Sequence, residues 1–395
     1  MDRERLWTKD FIIVFIFNFF IMLAMFLLMV TISGYAVDEF GVSTSTAGLV
    51  AGIFIVGSLI GRVLTGHQLS LMGAKKIMYI GTAMFIVTYG LYFVAGNLQL
   101  LLIVRFFNGL ANGVATTAVG TIAALALPRS RRGEGISYFS LSFVMATALG
   151  PFMAFFLLQH ISYQMLFLIV FTLVLIASVF TIFIRTDNTT IDLSKEPKPK
   201  FEWIDRNAMP IGIVVLIICM TYSTVLSFIA LFAEEQNLVA ASSYFFLVYA
   251  IVILITRPVT GRLMDQKGAN IVIYPAFVVL AIGYLVLGQT TSGFMLLLSG
   301  VLLGFGYGNF QSITQALCIK VADAKNVGLA TSTYFIALDF GLGVGSYILG
   351  TLVPILGYSG LYSSMVLLVV AGAIVYYMVY GRHEGRNASS IKNYQ

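Results

Sequence analysis

Apolar stretches of about 20 residues recur from one end of the chain to the other, each as long as a helix needs to be to cross a bilayer. Short polar or glycine-containing turns separate them, such as Gly96-Asn97 and Gly357-Tyr358-Ser359-Gly360. Read this way, the 395 residues form twelve helices, near 11–36, 46–66, 77–96, 98–125, 135–159, 163–185, 208–232, 242–262, 271–290, 293–318, 328–355 and 361–381. A composition of 59% hydrophobic and 10% charged residues agrees, because it leaves too few charges to cover a soluble surface. The first run is too long for a secretory signal and lacks a small-residue cleavage site, so it is read as a permanent helix. The expected fold class is an all-α integral membrane protein with twelve transmembrane helices.

The charges set the orientation. With the N-terminus in the cytosol, the inner segments carry Arg3, Arg5, Lys9, Lys75, Lys76, Arg129, Arg131, Arg132, Arg185, Arg206, Arg262, Lys267, Lys320, Lys325, Arg382, Arg386 and Lys392. The outer loops carry no Lys or Arg, and positive loops stay inside. Both termini are therefore expected in the cytosol, in a multi-pass protein of the cell membrane. The net charge of +6 follows this placement and does not read as a nucleic-acid surface. The one long connection, Thr186 to Arg206, contains Lys195, Pro197, Lys198, Pro199 and Lys200 and reads as a solvated cytosolic linker. It divides the chain into an N-terminal bundle (1–185), the linker (186–206) and a C-terminal bundle with a short tail (207–395).

The two halves repeat. An offset of 195 residues lays Arg62-Val-Leu-Thr-Gly66 on Arg257-Pro-Val-Thr-Gly261, and Gly73 on Gly268. The same offset pairs Gly109 with Gly304, Gly113 with Gly308, Gly133 with Gly328 and Gly150 with Gly345. The expected architecture is thus two pseudo-symmetric six-helix bundles. Parallel repeats of this kind occur in secondary transporters, with the substrate site near mid-membrane between the halves.

Over nearly its full length the chain resembles the major facilitator superfamily. After the second helix, Gly66-His-Gln-Leu-Ser70-Leu-Met-Gly73-Ala-Lys75-Lys76 is a degraded form of that family's G-x-x-x-D-R-x-G-R-K signature, with Ser70 in the acidic position. The second half keeps the pattern better, as Gly261-Arg-Leu-Met-Asp265-Gln-Lys267-Gly268. Helix four has the R-x-x-x-G pattern at Arg105-Phe-Phe-Asn-Gly109. Ala146 and Gly150-Pro151 in helix five are similar to the proline signature of drug–proton antiporters, although Ala154-Phe155 replaces its paired glycines. The resemblance implies the major facilitator fold and export of a small organic compound coupled to protons.

An ionisable group in the bilayer core costs roughly 2.5–3.5 kcal/mol and needs a reason to be there. Two lie well inside spans, Arg105 and Asp339. Asp339 falls near the middle of helix eleven, where a carboxylate can relay protons or hold a substrate cation; the bland reading is a carboxylate bonded to helix-end amides or a hydroxyl. Arg105 begins a stripe with Asn108, Asn112 and Thr116, whose spacing of three and four puts them on one helix face. That face is expected to line the central cavity, with Tyr307 and Gln311 as its repeat partners. For Arg105, a tie to helix carbonyls competes with a charge for proton transfer or anion binding, and the resemblance favours the charge.

Further cavity candidates are Asn18, Met22 and Met25 in helix one, Tyr138 and Ser142 in helix five, and Ser223 and Ser227 in helix seven. A methionine stripe suits varied lipophilic ligands but is also ordinary packing; the helix-seven hydroxyls can equally bond their own backbone. Arg62 and Arg257 are candidates for gating contacts, or for snorkelling to headgroups. The loop residues Gly66, Gly73, Gly261, Asp265 and Gly268 belong to the same gating set. Gly150 and Pro151 are expected to kink helix five.

Cys219 and Cys318 sit singly in apolar segments, and no Walker A sequence, metal cluster or nucleophile–His–acid pattern is present. No enzyme activity, cofactor or metal is expected; the partners expected are a small solute, protons and lipid, bound by a monomer. The residues leave open a sugar, a metal-chelating or another polar metabolite as cargo. They also leave open a passive channel or a transporter-shaped sensor.

Overall fold

A computed structural model describes residues 5–42, 44–158, 160–184, 202–323, 326–382 and 384. Twelve long helices account for most of them. The first six are α1 (Lys9–Phe40), α2 (Thr44–Met72), α3 (Ala74–Leu91), α4 (Leu98–Leu125), α5 (Arg132–Leu158) and α6 (Tyr163–Thr181). The rest are α7 (Met209–Glu235), α8 (Val239–Lys267), α9 (Asn270–Gly288), α10 (Gly293–Val321), α11 (Val327–Gly350) and α12 (Val353–Tyr376), the last followed by a π-turn at Tyr377–Gly381. Among the described residues, eleven helices are long and apolar enough to cross a membrane.

Side-chain caps start several helices where the sequence places its turns. Asn97 accepts the Leu100 N–H at 2.8 Å to open α4, Ser162 opens α6 through Met165, and Ser292 opens α10 through Met295. Each satisfies a first-turn donor that would otherwise be orphaned. α2 and α8 run further than expected, to Met72 and Lys267, and stop at repeat-equivalent glycines. Gly73 (φ 81°) and Gly268 (φ 90°) adopt left-handed backbone that a side chain would strain.

The end of the chain departs from expectation. α11 stops at Gly350 and α12 already starts at Val353, because Pro354 is favourable in a first turn. The foreseen turn survives as a break at Gly357 (φ 66°) inside that helix. Most of the 186–206 linker lies outside the described residues. Of its end, Asp205 is buried and donates its N–H to Thr333 Oγ1 at 2.9 Å.

By contacts the chain forms two units that differ from its sequence halves. One comprises Met1–Pro128, Ser142–Asp205 and Asp323–Ile336; the other comprises Arg129–Leu141, Arg206–Ala322 and Ala337–Gln395. In the first unit α2 packs tightly on α4, and α4 on α3; in the second, α10 packs on α8 and α9. The opening segment of α5 belongs with α8, and the opening segment of α11 with α2.

Candidate functional site

Glycines bring α4 against α2 and α10 against α8 at matching points. A Cβ on Gly109 would strike the Phe54 main chain, and one on Gly304 the Tyr249 main chain, positions again 195 apart. Gly113 meets Ser58 as Gly308 meets Ile253. Such close approach is how helices pack tightly in lipid, where no hydrophobic force acts between them.

At each crossing lies a buried arginine. Arg62, 5% exposed, donates from Nη1 to Thr116 Oγ1 at 3.0 Å, and its guanidinium stands 4.5 Å above the Phe335 ring. Arg257, fully buried, donates from Nε to the Gly308 carbonyl and from Nη2 to Gln311 Oε1, both at 3.0 Å. Arg62–Thr116 and Arg257–Gln311 are the same pair under the repeat offset. Both head groups point into their units.

The α4 stripe turns toward α2 and α3, and all four of its members are buried. Arg105 is 1% exposed and donates from Nε to the Val50 carbonyl at 3.1 Å and from Nη1 to Tyr92 Oη at 3.4 Å; its guanidinium lies 4.7 Å from the Phe54 ring. Asn108 accepts from the Tyr92 hydroxyl and donates to Thr88 Oγ1, and Asn112 donates to Ser58 Oγ. Thr116 donates to the Asn112 carbonyl in its own helix. The reason is geometric: the glycines that draw α2 onto α4 alternate with these polar residues, so the face that packs closest is also the polar one. For Arg105 the helix-carbonyl tie is the arrangement found.

The second unit has an aromatic core where the first has Arg105. Gly300 occupies the equivalent position, against Phe245. Deeper in, Tyr222 stacks on Tyr307 at 3.8 Å and on Tyr249 at 5.6 Å, and Cys219 Sγ lies 3.4 Å from Tyr307 Oη. Sequence reading found Tyr307 but missed Tyr222 and Tyr249, which carry no polar periodicity. Gly341 in α11 seats against Leu216 and Cys219 of α7. Two residues before it, Asp339 is half-buried. Gln311 is likewise half-buried. In α7, Ser223 bonds the Met220 carbonyl of its own helix, while Ser227 is exposed.

A charged lock joins α5 to α8. Asp265 accepts the N–H groups of Gly133 and Glu134, both at 2.8 Å, and so caps the first turn of α5. Glu134, 3% exposed, binds Arg131 at 2.8 Å and pairs with Arg262, whose Nη2 stands 3.5 Å from Tyr138 Oη. Gly261 makes room for this: a Cβ there would come within 2.5 Å of Ser137 Oγ. In the first unit a Cβ on Gly66 would come within 2.8 Å of Ser332, and Ser332 Oγ donates to the Arg62 carbonyl at 2.6 Å. Ser137 and Ser332 are repeat partners, but Glu134 and Arg262 are matched there by Leu329 and His67, so charge is carried on the α5–α8 side. The side chain of Ser70, the counterpart of Asp265, lies outside the described residues. Glu134 went unnoticed in the sequence, although a Glu three residues after Arg131 at a helix start was the available sign.

The candidates of α1 and α5 meet one another. Asn18 donates to Ser142 Oγ at 2.8 Å, joining α1 to α5, and Met22 and Met25 are buried. Gly150 admits Phe26 of α1, where a Cβ would lie 2.5 Å from its Cβ. α5 continues as helix through Gly150 and Pro151 to Leu158.

Long apolar helices in two units with repeat-related crossings define a multi-pass α-helical membrane protein. The sequence model of the Major Facilitator Superfamily matches residues 14–346 and 248–393. This chain belongs to that superfamily of transporters, whose members are not enzymes. It is 23% identical over 379 residues to an MFS-type transporter of Methanocaldococcus jannaschii, covering 93% of this chain and 97% of that protein. It is also 23% identical over 395 residues to the multi-drug resistance efflux pump PmrA homolog of Lactococcus lactis, covering 95% and 96%. Among solved structures, the human organic anion transporter MFSD10 superposes with a TM-score of 0.77 at 14% identity, covering 93% of this chain and 98% of that one. The proton:xylose symporter XylE superposes with a TM-score of 0.73 at 13% identity, covering 94% and 95%.

Proposed function

We propose that this chain is a proton-coupled exporter of a small organic compound, working by alternating access in the cell membrane with both termini in the cytosol. Asp339 is the observation that carries the reading. It is the single charged residue of α11, half-buried where that helix seats on α7, and acidic groups at such depth serve proton pathways. The likeness to an efflux pump supports the direction of transport, and the positive loops support the orientation. In this reading Asp339 carries the proton, while Arg105, Arg62 and Arg257 hold helix crossings. The Asp265–α5 cap and the Gly66–Ser332 approach form gating contacts that part and re-form in each cycle. Gln311, Tyr138 and Ser227 are the polar groups offered to the cargo.

Inverted vesicles with an imposed proton gradient and a mixed panel of dyes, drugs and metabolites test this. Gradient-driven accumulation of at least one compound is expected, lost with Asp339→Asn while solute exchange without a gradient persists. Full gradient-driven export by that variant would remove Asp339 from its role. Flux indifferent to a protonophore would make the protein a passive channel.

A further inference from the structure

Arg105 is a cation enclosed in protein with no anion beside it. Its contacts are the Val50 carbonyl, the Tyr92 hydroxyl and the face of Phe54, all neutral. Among the described residues no carboxylate pairs with it, and its Nη2 has no hydrogen-bond partner although the residue is 1% exposed. A buried charge left in this condition is strongly disfavoured. Buried Glu134, by contrast, has both Arg131 and Arg262 beside it.

A second unpartnered group lies in the same cluster. Tyr89, 1% exposed, has a hydroxyl without a hydrogen-bond partner, and its ring is 6.0 Å from that of Tyr92, the residue Arg105 binds. Its polar neighbours are Arg105 and Asn108, the latter close enough to interact with the hydroxyl oxygen. The neighbouring bonds are stretched, Arg105–Tyr92 and Tyr92–Asn108 both measuring 3.4 Å. Arg105 Nη2 and the Tyr89 hydroxyl, each without a hydrogen-bond partner, thus lie in one enclosed region between α2, α3 and α4. Water would satisfy the donors but leave the charge.

We propose that this space between α2, α3 and α4 binds a monovalent anion of halide size, held by Arg105 Nη2 and the Tyr89 hydroxyl. The enclosure sets the size, since both side chains are almost wholly buried and an organic anion would have to part the helices. The site is separate from Asp339 and does not depend on what the protein transports. The anion neutralises Arg105 and so fixes α2 and α3 on α4.

The test is thermal unfolding of the purified full chain in detergent, with sodium chloride or bromide exchanged for sodium gluconate at constant ionic strength. Halide is expected to raise Tm by about 2–4 °C over gluconate, with a saturable concentration dependence. Tyr89→Phe removes one donor and leaves the packing, and should raise the halide concentration for half the shift about tenfold. Arg105→Gln should abolish the dependence; should that variant fail to fold, Tyr89→Phe still decides. Bromide density between Arg105 and Tyr89 in an anomalous scattering map would locate the ion. Equal Tm in chloride and gluconate, or a halide shift unchanged by Tyr89→Phe, overturns the proposal, since the second result is a general salt effect.

Discussion

Removing the carboxylate of Asp265 should loosen the start of α5 specifically. That carboxylate accepts two main-chain N–H groups, from Gly133 and Glu134, each at 2.8 Å. A single side-chain cap contributes about 0.5–2 kcal/mol, and a negative charge at a helix N-terminus about 0.3–1 kcal/mol more. With two bonds made by a half-buried group, Asp265→Ala should cost about 1.5–2.5 kcal/mol locally. At 1.4 kcal/mol per factor of ten, amide exchange in the first turns of α5 should quicken about 10–60-fold. Asp265→Asn keeps one carbonyl acceptor but no charge, and should show roughly half the free-energy loss. Hydrogen exchange read by mass spectrometry over residues 132–141 measures this, with α10 peptides as the internal reference. Unchanged exchange in the alanine variant, or loss spread equally over both regions, would refute the capping argument.

Gly109→Ala places a Cβ against the Phe54 main chain and should cost about 1–3 kcal/mol by forcing α2 away from α4, read as a lower Tm. Gly52→Ala, whose Cβ would meet nothing within 4 Å, serves as its control and should leave Tm unchanged or slightly raised. Glu134→Gln removes the ion pairs with Arg131 and Arg262. Because the Arg262 side chain is 48% exposed, that pair should contribute no more than about 1 kcal/mol. The difference in Tm from the parent chain should therefore shrink as salt is raised.

Some features were legible before any coordinates. Lipid cannot satisfy a bare backbone, so each long apolar run had to be helical, and Gly96-Asn97 marked the turn before α4. The offset of 195 residues was equally plain, because a crossing that demands glycine in one half demands it in the other. A spacing of three and four also told that Arg105, Asn108, Asn112 and Thr116 share a face. It could not tell what that face meets, since periodicity describes one helix and not its neighbour. Only the packed structure turned the stripe onto α2 and α3, grouped the opening of α5 with α8, and brought Glu134 to Arg262 across 128 residues of sequence. Those pairings follow from how helices dock, and docking depends on surfaces contributed by segments far apart in the chain.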